Sequence, residues 1–533
     1  MKTFRLVCLF SVFMFAVLAI VLVAAQSSAA RANQFTDAPN ATLESWALTG
    51  VVGTQAVPGQ QAVKFAKAVV YGPGGDGTDS VTIADLRGDG HSDLVVANAS
   101  NWVGVLLGNG DGTFQTAVGY ASGGYDADSV AIADVNGDGH PDIVVANQCL
   151  TSTVCSSGGI VSVLLGNGDG TFQPAVGYNS GGMYATSVAI KDVNGDGHPD
   201  LVVANNGEVG VLLGNGNGTF QTAVVYSSGG YTATSVAIGD VNGDGRPDLV
   251  VGNACPISGS CNNGVVSVLL GNGNGTFQAP LTYNSGGNIA TSVAIADVNG
   301  DGYPDLIAAN FSGNPASKNG EVSVLLGNGN GTFQAAVTYS SGGYEAQSVA
   351  VADMNGDGHL DLAVANCAQK DTICLDGIGV VGVLLGNGDG TFQAPVKFSS
   401  GDYESFSVAI GDLNGDGRPD LAVANYTLGS VSVLLNTTLY ATKTTLTSSP
   451  NPSVINQSVT FTATTTSNPP VSDGETVTFY NGAAKIGTGT TTNGVATLAT
   501  SFSKAKTYTI KASYPGDPFH KASSGTVKQV VNP

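Results

Sequence analysis

Charge is scarce in this chain. Of its 533 residues 11% are charged, and 19 Lys and Arg stand against 40 Asp and Glu for a formal charge of −21. Such a balance argues against DNA or RNA as a partner, because polyphosphates are repelled. Histidine numbers 5, and four of these recur at one position of a repeated loop, so a zinc cluster or a His-centred triad lacks its residues. The Gly-Xaa-Ser-Xaa-Gly nucleophile elbow is absent as well. Beyond the N-terminal segment no apolar run approaches bilayer-spanning length. What is plentiful is Gly, at 75, together with Ser, Thr and Asn, a profile of turn-rich all-β proteins. The length implies a large repeat body plus something smaller.

The N-terminus reads as an export signal. Lys2 and Arg5 precede an apolar run from Leu6 to Ala25, and Ala24, Ala25, Ser28, Ala29 and Ala30 follow as small residues. Cleavage after Ala25 or Ala30 is expected, the alternative being an uncleaved anchor. Cys8 precedes the run and does not read as a lipid-attachment site. The other cysteines form close pairs, Cys149 with Cys155, Cys255 with Cys261 and Cys367 with Cys374. Even number, local spacing and an export signal together predict three disulfides outside the cytoplasm.

Asp-Xaa-Asn-Gly-Asp-Gly-Xaa-Pro-Asp recurs in seven copies that begin at Asp85, Asp134, Asp192, Asp240, Asp297, Asp353 and Asp412. Carboxylates stand at positions 1, 5 and 9, an amide at 3, and a Gly at 6 lets the chain turn around whatever they hold. Oxygen ligands at alternate positions suit a hard cation such as Ca²⁺, with the position-7 main-chain carbonyl completing the set. Plain β-turns are the competing explanation, since Asn-Gly-Asp-Gly is also good turn chemistry. An Asp at position 9 in every copy is what turns alone leave unexplained.

Loop 1 offers Asp85, Asp89 and Asp93; loop 2 Asp134, Asn136, Asp138, His140 and Asp142; loop 3 Asp192, Asn194, Asp196, His198 and Asp200. Loop 4 has Asp240, Asn242, Asp244, Arg246 and Asp248; loop 5 Asp297, Asn299, Asp301, Tyr303 and Asp305; loop 6 Asp353, Asn355, Asp357, His359 and Asp361; loop 7 Asp412, Asn414, Asp416, Arg418 and Asp420. Loop 1 is expected to be weakest, because Arg87 replaces the amide and Ser92 the Pro. The position-7 side chains read as surface fillers rather than catalytic bases. Arg87-Gly88-Asp89 spells an adhesive tripeptide, but its Asp belongs to the loop. Seven bound Ca²⁺ would bring the formal charge to about −7, an ordinary surface.

Fixed spacings surround every loop: Phe to Ser, Ser to the first Asp, and on to an Asn at 98, 147, 205, 253, 310, 366 and 425. The one stretch of variable length runs from that Asn to a Leu-Leu pair. Four short apolar segments per unit, with a tight Asn-Gly-Asp-Gly hairpin between the third and fourth, predict a propeller blade of about 50 residues. The last copy lacks its fourth strand, and Phe65 to Ser80 at the start of the chain supplies it. The fold expected is therefore all-β: a seven-bladed β-propeller with N-terminal strand closure, followed by a β-sandwich. The boundaries are 1–30 signal, 31–61 linker, 62–436 propeller and 437–533 sandwich.

On these letters the chain resembles the FG-GAP/VCBS repeat family, whose propellers include that of integrin α-subunits. The resemblance rests on Asp192-Val-Asn-Gly-Asp-Gly-His-Pro-Asp200 with its siblings and on Leu-Leu-Gly-Asn-Gly-Asp-Gly-Thr-Phe. It implies a calcium-bearing propeller whose ligand differs from member to member. Gly474-Glu-Thr-Val-Thr-Phe-Tyr480, Gly494-Val-Ala-Thr-Leu498 and Tyr508 to Asp517 are similar to bacterial immunoglobulin-like domains, usually spacers. That unit has no Cys and must rely on its apolar core.

Blade topology puts the Asp loops and tight turns on one face, and the variable loops and Ser-Gly-Gly-Tyr crossovers on the other. Tyr125, Tyr184, Tyr231, Tyr344 and Tyr403 on the crossovers suit sugar or peptide contact, though packing between blades would also explain them. The function expected is a secreted or cell-surface, non-catalytic glycan- or protein-binding module. Its rivals are a polysaccharide lyase or hydrolase using carboxylates such as Asp126, Glu208, Glu345 and Glu404, and a purely structural envelope or matrix protein.

Overall fold

The computed structural model describes residues 62–533 apart from 73–74, 76, 152–157, 257–262, 314–318 and 369–376. The signal and linker expected over 1–61 lie outside the described residues. Strands and turns make up the described chain, with no helix among them.

Repeat 3 shows how one unit is built. Ser187–Lys191, Asp200–Asn205, Glu208–Leu212 and Val224–Ser227 lie side by side in chain order, each antiparallel to the last. The second strand, Asp-Leu-Val-Val-Ala-Asn, is buried along its whole length, as a strand covered on both faces must be. The fourth, Val-Val-Tyr-Ser, is mostly exposed and forms the outer edge. The same four-stranded sheet recurs in repeats 1, 2, 4 and 7. Repeats 5 and 6 are fused into one seven-stranded sheet, because Val337–Ala352 runs unbroken from the outer edge of one into the inner position of the next. Four strands per unit is thus the rule, and this shared strand the departure from it.

Apolar residues between consecutive sheets hold the units together. Tyr120 meets Phe172 edge-on at 5.5 Å, and Tyr178–Phe220, Tyr226–Phe277, Tyr283–Phe333 and Tyr339–Phe392 repeat that contact at 5.5–5.6 Å. The N-terminal strand closes the set. Val69–Tyr71 pairs with Ser430–Leu434 in the register Val69↔Val433 and so becomes the outer strand of repeat 7. From there Phe65 packs on Phe398 of repeat 6 and Tyr71 on Phe114 of repeat 1. Val81, Leu94 and Phe114 share a buried cluster with Leu413, Ala422 and Val431, so the last repeat returns to the first.

The tail is a two-sheet sandwich. Lys443–Ser449, Ser458–Thr466 and Val495–Ser501 form one sheet, and Ser453–Val454, Ser523–Asn532, Lys506–Tyr514, Thr476–Asn481 and Ala484–Thr490 the other. Phe461, Phe479, Ile510 and Tyr514 fill its core without a cysteine.

Candidate functional site

Each Asp loop joins the first strand of its unit to the second, and position 9 is the first residue of that second strand. The position-9 carboxylates, Asp93 to Asp420, are all fully buried. One oxygen accepts the N–H of the buried apolar residue at position 2, as Val135 to Asp142 at 2.8 Å and Val193 to Asp200 at 2.9 Å. The other accepts the N–H of the Gly that opens the tight turn between strands three and four, Gly166 and Gly214 both at 2.7 Å. Loop 7 uses Asn436 N–H instead, at 2.6 Å. Asp at position 9 therefore staples loop to turn, and its recurrence has a structural cause independent of any cation. The apolar anchor at position 2 is a role that sequence reasoning missed, although a hydrophobic residue stands there in every copy.

Positions 1, 3 and 5 tie the rest of the loop. In loop 2 the Asp134 carboxylate accepts from the N–H groups of Gly137 at 2.7 Å, Asp138 at 3.2 Å and Gly139 at 2.8 Å. The Asn136 amide donates to Asp138 at 2.9 Å, and the Asp138 carboxylate accepts from His140 N–H at 2.9 Å. Gly139 at position 6 has φ 85°, a conformation costly for any residue with a Cβ. Concentrating carboxylates has an electrostatic cost. Burial raises the acid pKa of Asp142, Asp200, Asp248 and Asp305, with repulsion from positions 5 and 1 adding to it. For Asp361 and Asp420 the same causes push it up to about 7.

Loop 1 meets that cost from within. The Arg87 guanidinium pairs with Asp89 at 2.9 Å and with Asp93 at 2.8 Å, and donates to the Gly108 carbonyl at 2.7 Å. A covalently attached cation thus bridges positions 5 and 9, and it shows that a positive group can be held by these carboxylates. The hard oxygen donors of loops 2 to 7 fit a divalent cation by the same chemistry. Arg87 and Asp89 of the adhesive tripeptide are spent on each other.

The position-7 side chains His91, His140, His198, Arg246, Tyr303 and His359 are exposed. Arg418 differs, for it is buried and is not the surface filler that sequence reasoning expects.

On the opposite face, Tyr125, Tyr231 and Tyr403 are exposed and Tyr184 and Tyr344 half-buried. The inter-repeat ring contacts described above use other tyrosines, those of the outer strands. The fixed Asn of repeats 2 to 6 clamps the crossover: Asn205 and Asn253, for example, donate to the carbonyls of Ser180 and Ser228, both at 3.2 Å. Cys149, Cys255 and Cys367 are buried at this end, and Cys155, Cys261 and Cys374 lie outside the described residues.

One carboxylate group was not foreseen. Among the described residues, Asp79, Asp126 and Asp128 are the set whose ligand oxygens all lie within 4.8 Å of one another; the loop trios spread wider. Gln148 donates to both oxygens of Asp128, at 2.8 and 3.0 Å. Burial raises all three pKa values, that of Asp126 to about 6. The signal available in sequence was Asp before the fixed Ser in repeats 1 and 2, where repeats 3 to 5 have Thr. Glu208, Glu345 and Glu404 do not join this group.

With this geometry established, likeness to known proteins is informative. The FG-GAP-like repeat matches residues 85–145, 152–203, 192–251, 257–308, 310–364 and 369–423, more than half of the chain, and the FG-GAP repeat matches 127–164. A bacterial Ig-like domain (group 3) matches residues 446–532. Integrin alpha pat-2 of Caenorhabditis elegans is 32% identical over 172 residues, which are 27% of this chain and 14% of the integrin. Integrin alpha-V of Gallus gallus is 32% identical over 141 residues, 25% of this chain and 13% of the relative. The chain spans about a seventh of the length of these relatives. Among solved structures, an Agrocybe aegerita protein that recognises non-reducing terminal N-acetylglucosamine is 24% identical, with a TM-score of 0.43 over 71% of this chain and 87% of that one. BBS1N, in complex with ARL6DN, is 13% identical with a TM-score of 0.44, over 70% and 97%.

Proposed function

Because the chain belongs to the FG-GAP-like repeat family, we propose that residues 62–436 are a seven-bladed, calcium-bearing propeller that binds an extracellular glycan or protein without catalysis. Residues 437–533 then act as its immunoglobulin-like spacer. The observation that carries this reading is the asymmetry of the two ends of the strands. Every Asp loop has one length and the same bond from the position-2 N–H to the position-9 carboxylate, whereas the opposite end collects all length variation. That end also holds five non-glycine residues in the left-handed region, Asn101, Asp126, Tyr184, Glu345 and Glu404. Such conformations cost about 1–3 kcal/mol each and cluster at ligand-binding sites. A rigid scaffold with one variable rim is how binding proteins are commonly built.

Loops 2 to 7 hold Ca²⁺ through positions 1, 3, 5 and 9 and the position-7 carbonyl, and the ion offsets the repulsion among their carboxylates. Loop 1 is the weakest site. Export by the N-terminal signal and three disulfides, Cys149–Cys155, Cys255–Cys261 and Cys367–Cys374, complete the reading. Among the described residues no helix is long and apolar enough to cross a membrane.

The test is binding of the full chain, in calcium, to a glycan array and to a panel of extracellular proteins. Specific binding that is lost in Tyr231→Ala/Tyr344→Ala supports the reading and locates the site. Intact binding in that variant removes the tyrosines, and no binding to either panel removes the function. A polysaccharide-active enzyme is the second reading, and the Asp79–Asp126–Asp128 group favours it, since a raised carboxyl pKa suits a general acid. Turnover of a bound polysaccharide that stops in Asp126→Asn would decide for it.

A further inference from the structure

Loops 6 and 7 differ from the other five in what covers them. The position-5 carboxylates Asp89, Asp138, Asp196, Asp244 and Asp301 are exposed, but Asp357 and Asp416 are half-buried. Their cover is the tail. In loop 6, Asn355 is 1% exposed, and a Cβ at Gly356 would overlap the ring of Tyr440 and crowd the carbonyl of Asn468. In loop 7 the Arg418 guanidinium pairs with Asp416 at 2.6 Å and donates to the carbonyls of Thr438 and Pro518, both at 3.4 Å. It also lies 5.0 Å from the centre of the Phe519 ring.

The tail side of this seat is itself well built. Tyr440 N–H donates to the Phe519 carbonyl at 2.7 Å, and Lys521 N–H returns to the Tyr440 carbonyl at 2.8 Å. His520 is clasped by Asp517 at 2.9 Å and reaches the Pro469 carbonyl at 3.1 Å. Docking the tail therefore takes the carboxylates of two loops partly out of water. Desolvating like charges is unfavourable unless a counter-charge is present; Arg418 supplies one to Asp416, and the other carboxylates of the two loops are what a cation would neutralise.

We infer that divalent cations in loops 6 and 7 lock the tail onto the repeat body, while those in loops 2 to 5 serve the body alone. This rests on the calcium reading above. Linkage makes the effect reciprocal: whatever undocks the tail weakens those two ions by the same factor.

Hydrogen exchange of the full chain, in calcium chloride and in chelator, tests it together with a count of bound calcium. Asp353→Asn/Asp412→Asn should lose two ions and expose the Tyr440 and Lys521 amides on the order of tenfold faster, with body amides still protected. Asp192→Asn/Asp297→Asn should lose two ions and leave those tail amides unchanged. Unchanged tail protection in the first variant, with its two ions gone, would overturn the lock while sparing the calcium reading. Absence of bound calcium in the unmodified chain would overturn both. From the other side, Tyr440→Ala should weaken two ions on the order of tenfold and spare the rest; uniform affinities would refute the coupling.

Discussion

Loop 1 and its six siblings share three carboxylates, a buried anchor at position 2 and a staple from position 9 to the backbone that follows the third strand, yet loop 1 alone has Arg in place of Asn at position 3. There the guanidinium bridges Asp89 and Asp93. In loop 2 the Asn136 amide reaches only Asp138, and Asp142 is left with its two backbone N–H donors. The comparison separates two demands that a sequence motif merges. One is geometric: a buried carboxylate must satisfy two N–H groups so that loop and turn meet. The other is electrostatic, since carboxylates at positions 1, 5 and 9 repel and call for a positive group. Every copy meets the first demand internally; loop 1 also meets the second at positions 5 and 9 through Arg87, and loop 7 meets it at position 5 alone through Arg418.

Chelation is the broadest way to break that comparison. Each ion held at a hundredfold excess over its Kd contributes about 2.7 kcal/mol, so removing calcium should lower the melting temperature sharply. Ion counting should give six per chain rather than seven, and a count of zero with an unchanged melting curve would show that all loops are plain turns. A narrower cut is Asp200→Ala, which orphans the N–H groups of Val193 and Gly214. It should cost about 2–4 kcal/mol by chemical denaturation in chelator, and more in calcium, where the loop 3 ion is weakened as well. A loss seen only in calcium would make position 9 a ligand first and a staple second.

Arg87→Asn sharpens the comparison instead. It should cost about 1–3 kcal/mol in chelator, recover in calcium and add a seventh ion to the count. Recovery without an added ion would mean that loop 1 differs in more than its guanidinium. The smallest effect is on pH dependence in chelator. Asp361 and Asp420, raised to about 7 when folded, bind protons more tightly than in the unfolded chain, where an Asp titrates near 4. Their contribution to stability should therefore be greatest below about pH 4 and be lost as pH rises through about 7, and calcium should flatten that slope. Denaturant midpoints of the chain and of Asp361→Asn/Asp420→Asn across that range isolate it, and a difference of opposite sign would contradict the burial of these two groups.

Much of the architecture was legible because the repeat measures itself. Spacing from Phe to Ser to Asp to Asn survives in every copy, and a strand missing at one end could be recognised at the other. Val69↔Val433 pairing follows directly from that alignment. The two faces were equally legible, since strand order alone decides which loops share an end. Less accessible were the roles of individual letters. Arg87 read as a defect in a ligand set, whereas its side chain fills the place a cation would take. Arg418 read as a surface residue at a tolerant position, and it is buried under the tail, where it meets Pro518, 100 residues further along the chain.

The amino-acid sequence by itself determined the repeating unit, the closure of last repeat on first and the oxygen-rich loops, because these are local patterns copied in register. Tertiary structure alone decided which loops the tail covers, and that Asp79, Asp126 and Asp128 converge where two inner strands adjoin. The tail's seat joins segments with no common period, and although Asp79 and Asp128 recur in register, the spacing does not encode how closely neighbouring inner strands bring them together.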